Sequence, residues 1–367
     1  MERFDLGLVF STTGPYAALG RAARAGAELA IADLARDGVA QITPVVCDPA
    51  GRPDAYEAMT REILEQGVSH VVGAITSWSR KDMIPVLERY GALLWYPCPY
   101  EGFESNDHVI YMGAAPNHHM IPLLDRMLAA GVRRAYLLGS NYVWGWETLR
   151  LARARLIEAG VEIVGERYVR LGETDCTLAL SEIAEHGADM VINSLIGPSN
   201  VAFMHGLPAQ GRPEVVSCNQ SEADLETLGQ AGDGLVSAGA YFEELGPEDF
   251  VRRAAEVAPN GRCSSFFATT YASVCILAHS IRRAGSAAPK AVFRAACEGA
   301  HDTVLGTVRI DPMTRHAALT PHIARAEQGR FRLIASSEGP ITADPYLTSV
   351  QPVLGGHRET PSLRIVK

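Results

Sequence analysis

The first third of the chain alternates short apolar runs with segments whose apolar residues recur at helical spacing. Apolar runs at 6–10, 42–47 and 70–72 are separated by helical patterns at 22–37 and 55–66. Strands buried in a parallel sheet have near-continuous apolar runs, and helices cover both faces of such a sheet. The pattern therefore predicts a parallel α/β unit at the start of the chain.

The same alternation restarts after 111–116 and predicts a second unit of similar design. Its predicted helices are 119–130, 146–159, 176–185 and 200–210, and its predicted strands are 135–139, 162–169, 190–194, 214–218 and 236–242. Helices at 265–283 and 290–297 would pack back on the first sheet, and 307–310 would pair with 322–327 as antiparallel strands. We therefore expect an α/β fold of two doubly wound lobes joined by a multi-strand hinge.

The expected lobe boundaries follow from the points at which the chain passes from one lobe to the other. The first lobe is predicted to contain 1–116 and 249–322, and the second lobe 117–248 and 323–349. The segment 350–367 shows little periodicity and is predicted to be a loosely held tail. Two lobes connected more than once leave a cleft between them, where a ligand would bind.

The stretch 71–102 is the most informative part of the sequence. It predicts a strand, a turn, a helix and a second strand, with polar residues at the carboxyl ends of both strands. Since those ends share one edge of a parallel sheet, Thr76, Ser77, Trp78 and Cys98 are expected to face one small cavity. None of these side chains is charged, which favours a small, neutral, polar ligand.

The composition of the chain argues against some classes of function. The net charge of −9 argues against nucleic acid as a direct partner, and no apolar run reaches the roughly 18 residues of a membrane span. The seven cysteines show no CxxC spacing, which is typical of reduced thiols, and the first strand is predicted near Phe4 with no leader before it. We therefore expect a cytoplasmic protein, with a periplasmic one as the alternative if a leader has been removed.

Several short motifs extend over nearly the whole chain, and YPCPYEGFE at 96–104 is the most specific of them. The others are FSTTG at 10–14, DP at 48–49, SRK at 79–81, MIP at 83–85, APN at 115–117, GS at 139–140, SEA at 221–223 and DPY at 344–346. With these motifs the chain resembles the type I periplasmic-binding-protein family. Within that family it is most similar to the amide sensors of aliphatic amidase expression, which are related to urea and branched-chain amino-acid receptors.

The resemblance implies a non-catalytic receptor, with no cofactor and no metal, that encloses an amide between its lobes. It places Ser77 on the amide, Tyr142 over it from the second lobe, and small polar side chains at Cys98 and at Asn219 and Gln220. The remaining expected lining residues are Ile75, Thr76, Trp78, Tyr96, Pro99 and Trp144. The implied partner is an antiterminator-type regulatory protein, and the alternative is the permease of an ABC importer for amides, urea or branched-chain amino acids.

The lining departs from the amide-sensor pattern at several positions. Ile75 and Trp144 replace tyrosines, Cys98 and Gln220 replace threonines, and Trp78 adds bulk. The resemblance therefore supports urea or a longer amide as well as acetamide.

Other interpretations of these residues remain open from the sequence. Ser77 could serve only as a helix cap, and Cys98 could act as a nucleophile if a histidine base lay beside it. The neighbouring pair His118 and His119 has no third ligand at a spacing suited to a metal. An amino-acid ligand would need an acidic partner for its ammonium group, for which Glu101 and Glu222 are the candidates.

Overall fold

A computed structural model describes residues 1–348 and shows a first lobe built on a five-stranded parallel sheet. Its strands are β1 (Glu2–Val9), β2 (Ala40–Cys47), β3 (His70–Gly73), β4 (Leu93–Tyr96) and β5 (Val109–Tyr111), in the spatial order β2-β1-β3-β4-β5. Its helices up to this point are α1 (Ala17–Arg36), α2 (Pro53–Glu65) and α3 (Ser77–Tyr90). The central strands β3 and β4 are buried at every residue, because helices cover both faces of the sheet.

The second lobe repeats this design around a second sheet. Its helices are α4 (Met120–Ala129), α5 (Val143–Glu158), α6 (Thr177–His186), α7 (Gly197–Gly206) and α8 (Glu222–Leu228). Its parallel strands are β6 (Arg134–Ser140), β7 (Glu162–Val169), β8 (Met190–Ser194), β9 (Glu214–Ser217) and β10 (Val236–Gly239).

The chain then returns to the first lobe through α9 (Glu248–Val257), α10 (Ser265–Ala284) and α11 (Pro289–Cys297). Helix α10 packs tightly along α1, since a Cβ atom on Gly26 would lie 2.2 Å from the carbonyl oxygen of Phe267. A small antiparallel sheet follows, made of β11 (His301–Thr303), β12 (Gly306–Ile310) and β13 (Ala317–Ala318). The last two strands extend the second sheet: β14 (His322–Glu327) pairs antiparallel with β10, and β15 (Arg330–Ser336) pairs antiparallel with β14. The chain therefore passes between the two sheets three times.

The predicted fold class, two α/β lobes with parallel sheets, is confirmed. The predicted pairing of 307–310 with 322–327 is wrong, because β13 folds back on β12 and leaves β14 to pair with β10. The short elements β5, α8 and α9 were not predicted from the sequence. The lobe boundaries stay a prediction, and the predicted tail at 350–367 lies outside the described residues. Within residues 1–348, no helix is both long and apolar enough to cross a membrane.

Candidate ligand-binding site

A small chamber lies between the two lobes, next to the turn that precedes α3. Its volume is about 20 Å³, which is room for one or two water molecules. The lining side chains that the structure describes are all uncharged. They are Leu19, Ile75, Thr76, Ser77, Pro99, Tyr142, Trp144, Ile196, Asn219 and Phe266.

The first-lobe wall of this chamber is a turn fixed by backbone packing and a helix cap. A Cβ atom on Gly73 would lie 2.5 Å from the carbonyl oxygen of Val9, so only glycine allows this close approach. Thr76 then caps α3: its hydroxyl accepts the backbone N–H of Ser79, while the Ser79 hydroxyl accepts that of Thr76. This reciprocal arrangement is a capping box, and it fixes the direction in which α3 starts.

Ser77 offers a hydrogen-bond donor and an acceptor at the same point. Its hydroxyl donates to the carboxylate of Glu101, so the Ser77 oxygen keeps its lone pairs for an incoming N–H. Its backbone N–H belongs to the first turn of α3, where no carbonyl one turn earlier is available. A carbonyl oxygen and an N–H group of one small ligand can therefore both be satisfied here.

A cluster of four charged side chains lies behind Ser77, and all of them except the 42% exposed Lys81 are largely buried. The fully buried guanidinium of Arg80 contacts Glu101 at 3.0 Å and Glu104 at 2.7 Å, and Lys81 contacts Glu104 at 2.6 Å. Burial opposes ionisation of Glu104, but Arg80 and Lys81 outweigh it and lower the pKa of Glu104 to about 2. Two cations and two carboxylates thus balance, and the cluster presents no net charge to the chamber.

The second-lobe wall is held by neutral amide groups. The carbonyl oxygen of Leu195 accepts a hydrogen bond from the side chain of Asn219 at 3.1 Å and from that of Gln220 at 2.8 Å. The Gln220 side-chain oxygen accepts from Asn200 at 2.6 Å, and Asn193 donates to Asn200 at 2.8 Å. This network fixes the loop after β9 without using a charged side chain.

Tyr142 and Trp144 reach the chamber from the start of α5, and both are buried. A Cβ atom on Gly145 would lie 2.0 Å from the carbonyl oxygen of Ser140, so this glycine lets α5 start directly against the end of β6. Among the described residues, the indole N–H of Trp144 has no hydrogen-bond partner.

The structure brings most of the predicted site residues to this chamber, but four of them lie elsewhere. Gln220 lines an adjoining chamber, and Trp78 is 44% exposed and lines neither chamber. Tyr96 lies behind the wall, with its ring centre 4.8 Å from the guanidinium carbon of Arg80. The thiol of Cys98 donates to the carbonyl oxygen of Ala74 at 3.4 Å, so it supports the turn.

Three lining residues were not predicted. Ile196 follows β8, so the rule that ligands meet strand carboxyl ends could have found it. Leu19 lies on α1 and Phe266 on α10, and only tertiary packing brings these helices to the cleft.

The alternative chemistries find no support in the described geometry. Burial raises the pKa of the Cys98 thiol, which disfavours the reactive thiolate. His118 and His119 contact the backbone carbonyl oxygens of Ile341 and Tyr100, and no metal-binding group of three side chains occurs within 1–348. Glu101 is engaged with Ser77 and Arg80, and Glu222 does not line the chamber.

The cleft is closed in this structure. A Cβ atom on Gly197, at the start of α7, would lie 1.9 Å from the carbonyl oxygen of Pro15 in the first lobe. At the mouth of the cleft, the guanidinium of Arg150 lies 5.0 Å from the ring centre of Phe103. Contacts of this kind can form only when the two lobes approach each other.

Two α/β lobes closed over a small uncharged chamber define a ligand-binding protein of the two-lobe class. The family model described as periplasmic binding protein domain matches residues 4–352. The chain therefore belongs to that family, whose members bind ligands without catalysing a reaction.

Curated relatives match over most of their length at low identity. The leucine-, isoleucine-, valine-, threonine- and alanine-binding protein of Pseudomonas aeruginosa is 24% identical over 324 residues, covering 84% of this chain and 86% of that protein. The Leu/Ile/Val-binding protein homolog 3 of Brucella melitensis is 22% identical over 333 residues, covering 83% and 86%.

Solved structures show the same fold. A solute-binding protein of an ABC transporter from Rhodopseudomonas palustris, in complex with p-hydroxybenzoic acid, superposes with a TM-score of 0.84 at 18% identity, covering 95% of this chain and 100% of that one. A branched-chain amino-acid transporter substrate-binding protein from Streptococcus pneumoniae, in complex with isoleucine, gives a TM-score of 0.77 at 17% identity, covering 91% and 99%. At these identities the likeness establishes the fold.

Proposed function

We propose that this protein is the solute receptor of an ABC importer and that its ligand is a small uncharged amide or urea-like molecule. The observation that carries the proposal is the uncharged chamber in which Ser77 supplies both a donor and an acceptor. An amide or urea presents a carbonyl oxygen and an N–H group at the spacing that a single residue can meet.

The charge balance around the chamber disfavours the ligands for which the relatives are named. An amino acid carries an ammonium group, which needs a carboxylate partner when it is buried. The nearest carboxylate, Glu101, is already neutralised by Arg80 at 3.0 Å. An aromatic acid would bring a negative charge to a wall that presents no free cation among the described lining residues.

The relatives favour an importer component over a regulator of amidase expression. They are named as amino-acid-binding proteins and as binding proteins of ABC transporters. In this role the closed lobes are presented to a permease outside the cytoplasm, so the proposal adopts the periplasmic alternative.

The affinity has a ceiling set by ligand size. The best small ligands gain about 1.5 kcal/mol per heavy atom, so a four-atom ligand such as acetamide reaches about −6 kcal/mol. This corresponds to a dissociation constant of tens of micromolar.

A thermal-shift assay with millimolar ligand tests the proposal. We expect stabilisation by acetamide, butyramide or urea, no stabilisation by leucine or 4-hydroxybenzoate, and at least a tenfold loss of affinity in Ser77→Ala. The matched control is Ser105→Ala, which removes an exposed hydroxyl away from the cleft. Stabilisation by leucine or 4-hydroxybenzoate alone would overturn the neutral-ligand proposal.

A further inference from the structure

The mouth of the cleft contains an aromatic side chain on a strained piece of backbone. Phe103 lies in the loop after β4 with a φ of 59°, in the left-handed region that bulky side chains rarely adopt. Its ring is 43% exposed, so burial in the first lobe does not account for this conformation. Backbone strain of this kind often marks a functional site. The ring of Phe103 is therefore expected to have a role outside the core of the first lobe.

The residues around Phe103 hold it in this conformation. Its backbone N–H donates to the carbonyl oxygen of Pro345 at 2.8 Å. The preceding Gly102 also has a positive φ, of 86°, and a Cβ atom on it would lie 2.8 Å from the same oxygen. The carboxylate of the following Glu104 is paired with Arg80 at 2.7 Å. The loop is thus fixed on both sides of Phe103, which keeps the ring at the cleft mouth.

The second lobe places a cation over this ring. Arg150 belongs to α5, and its guanidinium carbon lies 5.0 Å from the ring centre of Phe103. Glu147, one turn earlier on the same helix, accepts a hydrogen bond from Nε of Arg150 at 2.9 Å and so fixes the direction of the guanidinium. A cation within about 6 Å of an aromatic ring centre is attracted to the ring face. Because the two residues belong to different lobes, this attraction exists only in the closed form.

Contacts between the lobes flank the ligand chamber on two sides. The first sheet has β3 between β1 and β4, so the turn at Ser77 lies between the loop that contains Pro15 and the loop that contains Phe103. On the β1 side, Pro15 meets Gly197 in a close fit of backbone that involves no charged or aromatic group. On the β4 side, the contact is an attraction between a cation and a ring.

We propose that Arg150 and Phe103 form a latch that favours the closed form of the protein, whether or not a ligand occupies the cleft. A contact made in only one of two conformations shifts their populations by its own free energy. The strength of exposed cation–π pairs corresponds to a shift of about two- to fivefold in the closed-to-open ratio. The latch acts on the ligand-free protein, so this inference goes beyond the proposed function and does not depend on the identity of the ligand.

Electron paramagnetic resonance measures the closed and open populations of the ligand-free protein. Nitroxide labels carried by p-acetylphenylalanine at Ala58 of α2 and Ala184 of α6, two exposed positions in different lobes, report the interlobe distance without using the native cysteines. In Phe103→Asn and in Arg150→Gln, we expect the closed-to-open ratio to fall about two- to fivefold. Asparagine suits position 103 because it tolerates a positive φ.

Matched variants separate the latch from a general effect of losing an aromatic ring. Phe293→Leu removes a ring that lies 3.7 Å from the guanidinium carbon of Arg315 within the first lobe, and it should leave the ratio unchanged. Phe103→Tyr keeps an aromatic face and should behave as the wild type. The double variant of Phe103→Asn and Arg150→Gln should lose no more than either single variant, because the two residues act as a pair.

Three results would overturn the latch. The first is an unchanged ratio in Phe103→Asn or in Arg150→Gln. The second is a pair of losses that add in the double variant, since the two residues would then act independently. The third is a fall in Phe293→Leu as large as that in Phe103→Asn, which would trace the effect to the first lobe alone. No ligand is present in these measurements, so failure of the latch leaves the proposed function standing.

Discussion

Buried carboxyl groups lie behind both walls of the cleft, and the two lobes neutralise them in different ways. In the first lobe, Glu101 and Glu104 are ion-paired with the buried guanidinium of Arg80. In the second lobe, the carboxyl of Glu222 accepts the backbone N–H of Glu243 at 2.7 Å, and its other oxygen has no partner among the described residues. Burial raises the pKa of Glu222 to about 8, so this group is protonated at pH 7.

A neutral site therefore does not require neutral surroundings. In the first lobe, cations neutralise the buried carboxylates. In the second lobe, the buried carboxyl group is neutral because it is protonated. Both walls therefore face the ligand without net charge at pH 7, but their stabilities depend on pH in opposite directions.

Removing the cation from the first-lobe cluster should have the largest effect. In Arg80→Met, two buried carboxylates lose their fully buried cation and keep only Lys81, which is 42% exposed. Loss of one member of a buried ion pair costs about 3–5 kcal/mol. Denaturant unfolding at pH 7 measures this loss. The control is Arg150→Met, a half-exposed arginine for which about 1 kcal/mol or less is expected. A loss below about 1 kcal/mol in Arg80→Met would contradict the ion-pair account.

Acid should weaken the first-lobe cluster through Glu104. Its folded pKa of about 2 lies below its ordinary value of 4.5, so its contribution is present above pH 4.5 and is lost as the pH falls toward 2. The loss amounts to about 3 kcal/mol over that window at about 1.4 kcal/mol per pH unit. Unfolding free energies measured from pH 5 to pH 2.5 should show a shallower fall in Glu104→Gln. Identical slopes in the two proteins would contradict this assignment.

Base should weaken the second lobe through Glu222. Because its folded pKa of about 8 lies above the ordinary value of 4.5, the folded state holds a proton that the unfolded state releases. Stability should therefore fall as the pH rises from about 5 to 8, by up to about 1.4 kcal/mol per pH unit. Glu222→Gln should lack this fall when its unfolding is followed over the same range. A wild-type stability that rises between pH 6 and 8 by the same amount as in Glu222→Gln would show that Glu222 is ionised.

Closure of the cleft should depend on Gly197, with a smaller effect. In Gly197→Ala the new Cβ atom would collide with the carbonyl oxygen of Pro15, so the closed form becomes unfavourable and amide affinity should fall about tenfold. The control is Gly187→Ala. The backbone angle φ is 58° at Gly187 and 60° at Gly197, but a Cβ atom on Gly187 would meet only the side chain of Arg134. Calorimetry measures both. Equal losses of affinity would mean that backbone strain, and not closure, is responsible.

The fold could be predicted because strands such as β3 and β4 are buried on both faces, which leaves continuous apolar runs in the sequence. Ser77 and Tyr142 were predictable because they follow strand ends at the cleft. The prediction that Trp78 lines the chamber was wrong. Consecutive residues of a helix point about 100° apart, and of the neighbours Ser77 and Trp78 only Ser77 lines the chamber. Phe266 carries no local signal, because its helix reaches the cleft only through packing between distant segments.

The neutral walls of the cleft should select an uncharged ligand. The most direct test is to compare butyramide with butyrate, which have nearly the same shape and differ in charge, by titration calorimetry at pH 7. We expect butyramide to bind and butyrate to bind at least 100-fold more weakly. Binding of butyrate as tight as, or tighter than, that of butyramide would show that the cleft accepts a carboxylate and does not select for neutral ligands.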